Sequence, residues 1–165
     1  MAGGPVGRLE LARKMGADVT IDIDQAASVE DRTELVMSHT TNEEGTDIVF
    51  ECAGFLPATP EGLVYVKYGG TFVEVGHFVD MRSINLNLNQ LLMRKNLRLK
   101  AVWVSQYEHF VRGLPILEQN EFPFAEMVSH VLPLSRVKEG FEALNGNYQL
   151  DDKTTVKIVV QSDAD

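Results

Sequence analysis

Asp47-Ile48-Val49-Phe50-Glu51-Cys52-Ala53-Gly54 is the stretch on which the fold turns. A largely apolar run of this length, stopping at Ala53-Gly54, suits a strand buried on both faces of a parallel sheet. A second strand follows in Gly69-Gly70-Thr71-Phe72-Val73-Glu74-Val75-Gly76, again bracketed by glycine. Between the two, Thr59 and Pro60 read as an N-cap and first-turn pair that opens a helix running to about Tyr68. Strand, helix, strand with glycine at the strand ends is the repeating unit of a parallel α/β sheet.

Reading outward extends the alternation. Upstream, Leu9, Ala12 and Met15 share a helical face, and Gly16 is placed to stop that helix. Val19-Thr20-Ile21-Asp22-Ile23 is β-branched and alternating, hence a short strand. Ser28-Val29-Glu30-Asp31 has the form of a capping box, and a helix to about Thr40 would turn Leu35 and Val36 inward. Downstream, Ile84, Leu86, Leu88, Leu91 and Leu92 punctuate a connection into Leu97-Arg98-Leu99-Lys100-Ala101-Val102-Trp103-Val104. That octad alternates first and then becomes apolar, like an exposed strand entering a core. Ser105-Gln106-Tyr107-Glu108 is a full capping box for a helix with Tyr107, Phe110, Val111 and Leu114 as its inward stripe, kinked or shortened at Pro115.

After Pro123 the texture changes. An extended stretch over 128–134 leads to a helix capped by Ser135 and carrying Val137, Phe141 and Leu144, and a last strand spans 154–160. The polar segment 146–152 between them is expected to be a mobile loop. Three regions follow: a flexible segment over 1–7, an α/β domain over 8–122, and a small helix-strand extension over 123–165.

Composition bounds the function classes. The chain has 165 residues, 44% hydrophobic and 24% charged, with a net charge of −9. That balance supports one ordinary globular core and repels nucleic-acid backbones and anionic lipid. The one basic cluster, Arg94-Lys95 with Arg98 and Lys100, reads as a solvated loop beside a strand. Cys52 is the only cysteine, so no disulfide framework exists, and on an apolar strand its thiol is expected to be packed in the core. The opening residues, Met1 to Gly7, lack the apolar core of a secretion signal, and no apolar run approaches a membrane span. A cytoplasmic protein that binds neither membrane nor nucleic acid is the expectation.

These residues resemble the zinc-type medium-chain alcohol dehydrogenase/reductase family. Arg8-Leu9-Glu10-Leu11-Ala12-Arg13-Lys14-Met15-Gly16-Ala17-Asp18 resembles the helix and turn after that family's second strand. Asp47 to Gly54 is similar to its fourth strand, Gly69 to Gly76 to its fifth, and Asn96 to Ser105 to its sixth. His130-Val131-Leu132-Pro133-Leu134, Glu139-Gly140-Phe141-Glu142-Ala143-Leu144 and Lys157-Ile158-Val159-Val160 resemble its C-terminal return. The resemblance implies a partial Rossmann-like, doubly wound, mostly parallel sheet that binds NAD or NADP. It places Cys52, Ala53 and Gly54 near the adenosine side of the cofactor, and Val75, Gly76 and His77 near the nicotinamide. Val102, Trp103 and Val104 would hold the carboxamide through backbone groups.

The resemblance also implies that the catalytic zinc belongs to a preceding domain, on Cys, His and often Glu. In this chain Cys52, His39, His77, His109 and His130 show no ligand spacing, so zinc is not expected. No catalytic residue stands out. Gly3-Gly4-Pro5-Val6-Gly7 is reminiscent of the family's phosphate loop, but only Met1 and Ala2 precede it, so no strand is expected to lead in. Either it is a remnant joined to a truncated domain, or a natural deletion fused the loop to a later helix. In the second case its N–H groups could still meet a phosphate, with Asp22 or Asp24 serving the ribose.

Two central strands of the family order 3-2-1-4-5-6 would then be absent. The Val19 strand is expected to move beside the Asp47 strand, making a parallel sheet of about four strands. Remaining apolar surface would be covered by self-association, and the resemblance implies a homodimer, or a higher homo-oligomer, through 97–104. Two functions stand open: the cofactor-binding part of an NAD(P)-dependent alcohol dehydrogenase, or a non-catalytic self-associating module with little or no nucleotide binding.

Overall fold

The computed structural model describes residues 1–80 and 83–162. Nine strands and five α-helices occur among them. In chain order these are β1 (Ala2–Gly3), α1 (Val6–Lys14), β2 (Ile21–Asp22), α2 (Val29–Ser38), β3 (Thr46–Glu51), α3 (Ala58–Tyr65) and β4 (Val66–Glu74). Then follow β5 (Arg98–Ala101), α4 (Tyr107–Gln119), β6 (Val128–Pro133), α5 (Val137–Asn145), β7 (Gln149–Leu150), β8 (Lys153–Thr154) and β9 (Lys157–Gln161). The chain gathers into two compact units, one of residues 26–106 and one of residues 1–25 with those from 107 onward.

The unit of residues 26–106 is built on a three-stranded, wholly parallel sheet in the order β3-β4-β5. Strand β3 faces β4 with Phe50 beside Val73 and Glu51 beside Glu74, and Glu74 in turn faces Ala101 of β5. Leu63, Val66 and Phe72 are fully enclosed, and Val49, Leu86, Leu91, Leu92 and Leu97 pack around them. Burying side chains of this size stabilises by about 1.5–3 kcal/mol each. Leu86, Leu91 and Leu92 of the connection into β5 thus cover the sheet's core, while Leu88 stays exposed.

The ends of the helices show how local chemistry sets the boundaries. Ser28 caps α2, its Oγ accepting from the Asp31 N–H at 2.9 Å, as the sequence pattern expects. Arg32 of α2 donates to both carboxylate oxygens of Glu61 on α3, each at 2.7 Å, and Tyr65 adds its hydroxyl to the same carboxylate. Thr59 is not an N-cap: α3 begins at Ala58 after Pro57, two residues earlier than expected, and the Thr59 hydroxyl donates to Glu74 instead. The helix also ends at Tyr65 rather than near Tyr68, because Val66 enters β4 at once. Lys95 Nζ donates to the Leu63 and Val64 carbonyls at 3.0 and 2.9 Å, satisfying acceptors the helix end leaves open.

Two expectations for this unit are corrected. β3 is not buried on both faces: Val49 turns inward, while Ile48 and Phe50 remain 52% and 64% exposed. The cause is alternation on an edge strand whose outer face no element of this unit covers. The sheet has three strands rather than four, because the Val19 segment does not join β3.

That segment pairs elsewhere. In the other unit β2 lies parallel to β1, Ala2 beside Ile21 and Gly3 beside Asp22, with α1 as the crossover. Residues 2–6 therefore form a strand, a turn and a helix start where a flexible segment without a strand was expected. Helix α1 buries Leu9 and stops as expected before Gly16, whose φ of 94° places it in the left-handed region.

In the same unit β6 and β9 are parallel, joined through α5. The polar segment expected to be mobile folds as an antiparallel hairpin, β7 with β8, turning on Asp151 and Asp152 at φ 48° and 57°. Arg136 braces it through Asp151. Ser135 does not cap α5; a short 3₁₀ turn over Leu134–Arg136 leads into the helix. Helix α4 runs past Pro115 to Gln119, and its expected inward stripe of Tyr107, Phe110, Val111 and Leu114 is exposed. No helix of the described residues is long and apolar enough to cross a membrane.

Candidate functional site

Parallel strands bring all their C-terminal ends to one edge, and in an open α/β sheet that edge is where ligands bind. Here the edge carries Cys52, Ala53 and Gly54 after β3, Val75, Gly76 and His77 after β4, and Val102 to Val104 after β5. The first two turns are pressed together. Gly54 sits at φ 63°, and a Cβ added there would collide with the Gly76 carbonyl. A Cβ at Gly76 would meet the Gly54 N–H and the Glu51 carboxylate. Glycine at both positions is what lets the backbones approach this closely.

Two carboxylates close the sheet edge. Glu51 is 5% exposed, and its Oε1 accepts from the Ala53 and Gly54 N–H groups, each at 2.9 Å. Its Oε2 is buried with no hydrogen-bond partner. Glu74 Oε1 accepts from the Gly76 N–H at 3.2 Å and lies 2.9 Å from His77 Nδ1, and Glu74 Oε2 accepts from Thr59 at 3.2 Å. His77 Nδ1 is also 3.6 Å from Glu51 Oε2, and its Nε2 is buried and unpartnered. Burial, aided by Glu74, raises the Glu51 carboxyl above its ordinary range. Burial pushes Glu74 the same way, but His77, Glu51 and Thr59 together outweigh it and hold Glu74 low.

Beside this cluster lies a cavity of about 480 Å³ lined by Thr59, Glu74, His77, Phe78, Asp80 and Trp103, among others. Phe78 and Trp103 contact at 5.6 Å between ring centroids. A smaller hollow of about 160 Å³ is lined by Val75, His77, Val102 and Trp103 with Glu74 and Ala101. Of the residues singled out from sequence, Val75, His77, Val102 and Trp103 therefore meet at one place. Cys52, Ala53, Gly54, Gly76 and Val104 line neither cavity. Cys52 is exposed rather than packed, since it follows the last residue of β3; partial desolvation, with the charges of Glu51 and Glu74 adding to it, raises its thiol.

Sequence reasoning passed over Glu51, Glu74 and Thr59. The available signal was a glutamate at the last position of two consecutive parallel strands, which puts the pair side by side. Among the described residues, Glu51, Glu74 and His77 are the only such group with ligand atoms all within 4.8 Å. His130 is a satisfied structural histidine, bonded to Ser129 Oγ and the Leu150 carbonyl at 2.9 Å each. In the other unit, residues 3–7 do lead from a strand into a helix N-terminus, and Gly7 leaves no room for a Cβ beside Thr154.

The sheet defines the class by fold: a parallel α/β domain that matches the C-terminal part of alcohol dehydrogenase structures. The description "zinc-binding dehydrogenase" matches residues 4–119, and the chain belongs to that family. It is 24% identical over 156 residues to D-arabitol-phosphate dehydrogenase of Enterococcus avium, covering 94% of this chain and 40% of the relative. It is 27% identical over 140 residues to L-threonine 3-dehydrogenase of Bacillus subtilis strain 168, covering 83% and 38%. Among solved structures, an alcohol dehydrogenase of Thermotoga maritima superposes with a TM-score of 0.83 at 28% identity, over 98% of this chain and 42% of that one. A zinc-binding dehydrogenase of Sinorhizobium meliloti 1021 bound to NADP gives 0.76 at 20% identity, over 96% and 43%. The chain thus spans about two fifths of the length of these relatives. The Cys-and-His zinc set that the resemblance assigns to a preceding domain finds no fit here: Cys52 joins no ligand cluster among the described residues.

Proposed function

We propose that this chain is the cofactor-holding part of an NAD(P)-dependent dehydrogenase that moves hydride between nicotinamide and an alcohol or carbonyl. The observation that carries the reading is the Gly54–Gly76 backbone contact at the C-terminal sheet edge, set beside the 480 Å³ cavity. A related fold holds NADP, and relatives are named for an arabitol phosphate and for threonine, each bearing a secondary alcohol. On this reading the nicotinamide end lies over Val75, Gly76 and His77, with Val102 to Val104 offering backbone groups to the carboxamide. Cys52, Ala53 and Gly54 serve the adenosine side. These residues bind, orient and exclude water; the cofactor carries the chemistry.

Titration with NADH and with NADPH tests this, because Trp103 is a built-in fluorescence reporter in the cavity. Saturable quenching at micromolar ligand supports the reading, and an unchanged signal at millimolar ligand overturns it.

A second reading has its own observation. Leu99 on β5, with Val102, Trp103 and Val104 beyond it, is exposed along a sheet edge that no described strand pairs. An unpaired apolar edge favours association. A homodimer through residues 97–104, without cofactor binding, would be a self-associating module.

A further inference from the structure

We propose that Glu51, Glu74 and His77 form a binding site for a single divalent transition-metal ion, of the zinc, cobalt or manganese kind. The site is separate from any Cys-and-His zinc set and does not depend on nucleotide binding.

Three observations converge. Glu51, Glu74 and His77 offer two carboxylate oxygens and one imidazole nitrogen, all within 4.8 Å of one another. Two of the separations are 2.9 Å (His77 to Glu74) and 3.6 Å (His77 to Glu51). Zinc bonds to oxygen and nitrogen are near 2.0–2.2 Å, so the ligand edges of a tetrahedron are about 3.3–3.6 Å, which the wider separation meets and the narrower one would reach by a small opening. The Glu51 side chain is only 3% exposed, yet its Oε2 has no partner and faces the cluster. A buried carboxylate oxygen aimed at a second carboxylate requires something positive between them.

The surroundings are those of a metal ligand set rather than a loose acidic patch. Glu51 Oε1 is pinned by the Ala53 and Gly54 N–H groups, leaving Oε2 free to ligate. Glu74 is oriented from behind by the Thr59 hydroxyl, the kind of outer contact that fixes a ligating carboxylate. Two carboxylates and a neutral imidazole neutralise a dication. The mixed oxygen and nitrogen donors suit zinc, cobalt and manganese better than a soft thiophilic ion. The fourth position opens on the cavity lined by Glu74, His77 and Trp103, where water or a small oxygen ligand fits. The competing occupant is a proton held between Glu51 and Glu74.

The test uses the whole chain stripped with chelator, then titrated calorimetrically with zinc chloride and spectroscopically with cobalt(II). One ion per chain, a rise in Tm, and cobalt visible bands of tetrahedral intensity are expected. Glu51→Gln imitates the protonated form and keeps the fold, while binding weakens about 100-fold or more; His77→Ala, at the rim, does the same and alters the cobalt spectrum. Absence of stoichiometric binding to the wild-type chain overturns the site, since a proton then suffices. Wild-type binding that both variants retain overturns it equally, because the ion is then held elsewhere.

Discussion

Replacing Gly54 by alanine tests the geometry on which the sheet edge depends, and Gly69 supplies the control. Both glycines have positive φ, 63° and 72°, and both belong to the unit of residues 26–106. Nothing lies within 4 Å of a Cβ at Gly69, whereas one at Gly54 strikes the Gly76 carbonyl. Left-handed backbone costs alanine about 1–2 kcal/mol, and the stiffer unfolded chain returns about 0.4–1 kcal/mol, so Gly69→Ala destabilises by about 1 kcal/mol. Gly54→Ala adds an overlap with backbone, which cannot rotate away; overpacking adds about 1–3 kcal/mol, for a total of about 2–4 kcal/mol. The turn would relieve this by parting from Gly76, straining the 2.9 Å bond from Val75 N–H to the Glu51 carbonyl. Urea unfolding followed by far-ultraviolet circular dichroism reads the difference, with equal slopes confirming that the unfolding unit is unchanged. If the two variants unfold at the same urea concentration, the two turns do not press together and the argument fails.

Acid should weaken the unit of residues 26–106 through Glu61. Arg32 holds that carboxyl below its ordinary 4.5, so its stabilisation is whole above 4.5 and is lost as pH falls through the lower folded value. Thermal midpoints of wild type should therefore drop more steeply below 4.5 than those of Glu61→Gln, and parallel curves would refute the linkage. Glu51, raised by burial, acts oppositely, stabilising below 4.5 and ceasing to do so as pH rises through its folded value. For the β5 edge, sedimentation at micromolar chain should give a dimer that Leu99→Lys dissociates; a wild-type monomer would remove that interface.

Much of the fold was legible because its signals are local. The Ser28 cap and the stop at Gly16 each act within a few residues, and each sits where the pattern put it, whereas Gly69 and Gly70 lie inside β4 rather than ahead of it. What escaped needed information from across the chain. Thr59 looks like a cap until Glu74 is known to stand opposite its hydroxyl. Glu51 and Glu74 are 23 positions apart, and only the β3–β4 register makes them neighbours. Cys52 reads as core because a run of apolar letters does not announce that its strand ends one residue earlier. The apolar stripe of α4 was read correctly as a stripe, but periodicity names a face without saying what lies against it.

The bare side of β3, with Phe50 and Ile48 turned outward, bears on how the protein fares in a cell. Exposed apolar strand surface is what chaperones retain and what drives newly made chains into aggregates. Covering that side would therefore act on solubility by a route separate from folding strength. Yield on overexpression should accordingly respond more to a charge at position 48 or 50 than to any improvement around Phe72.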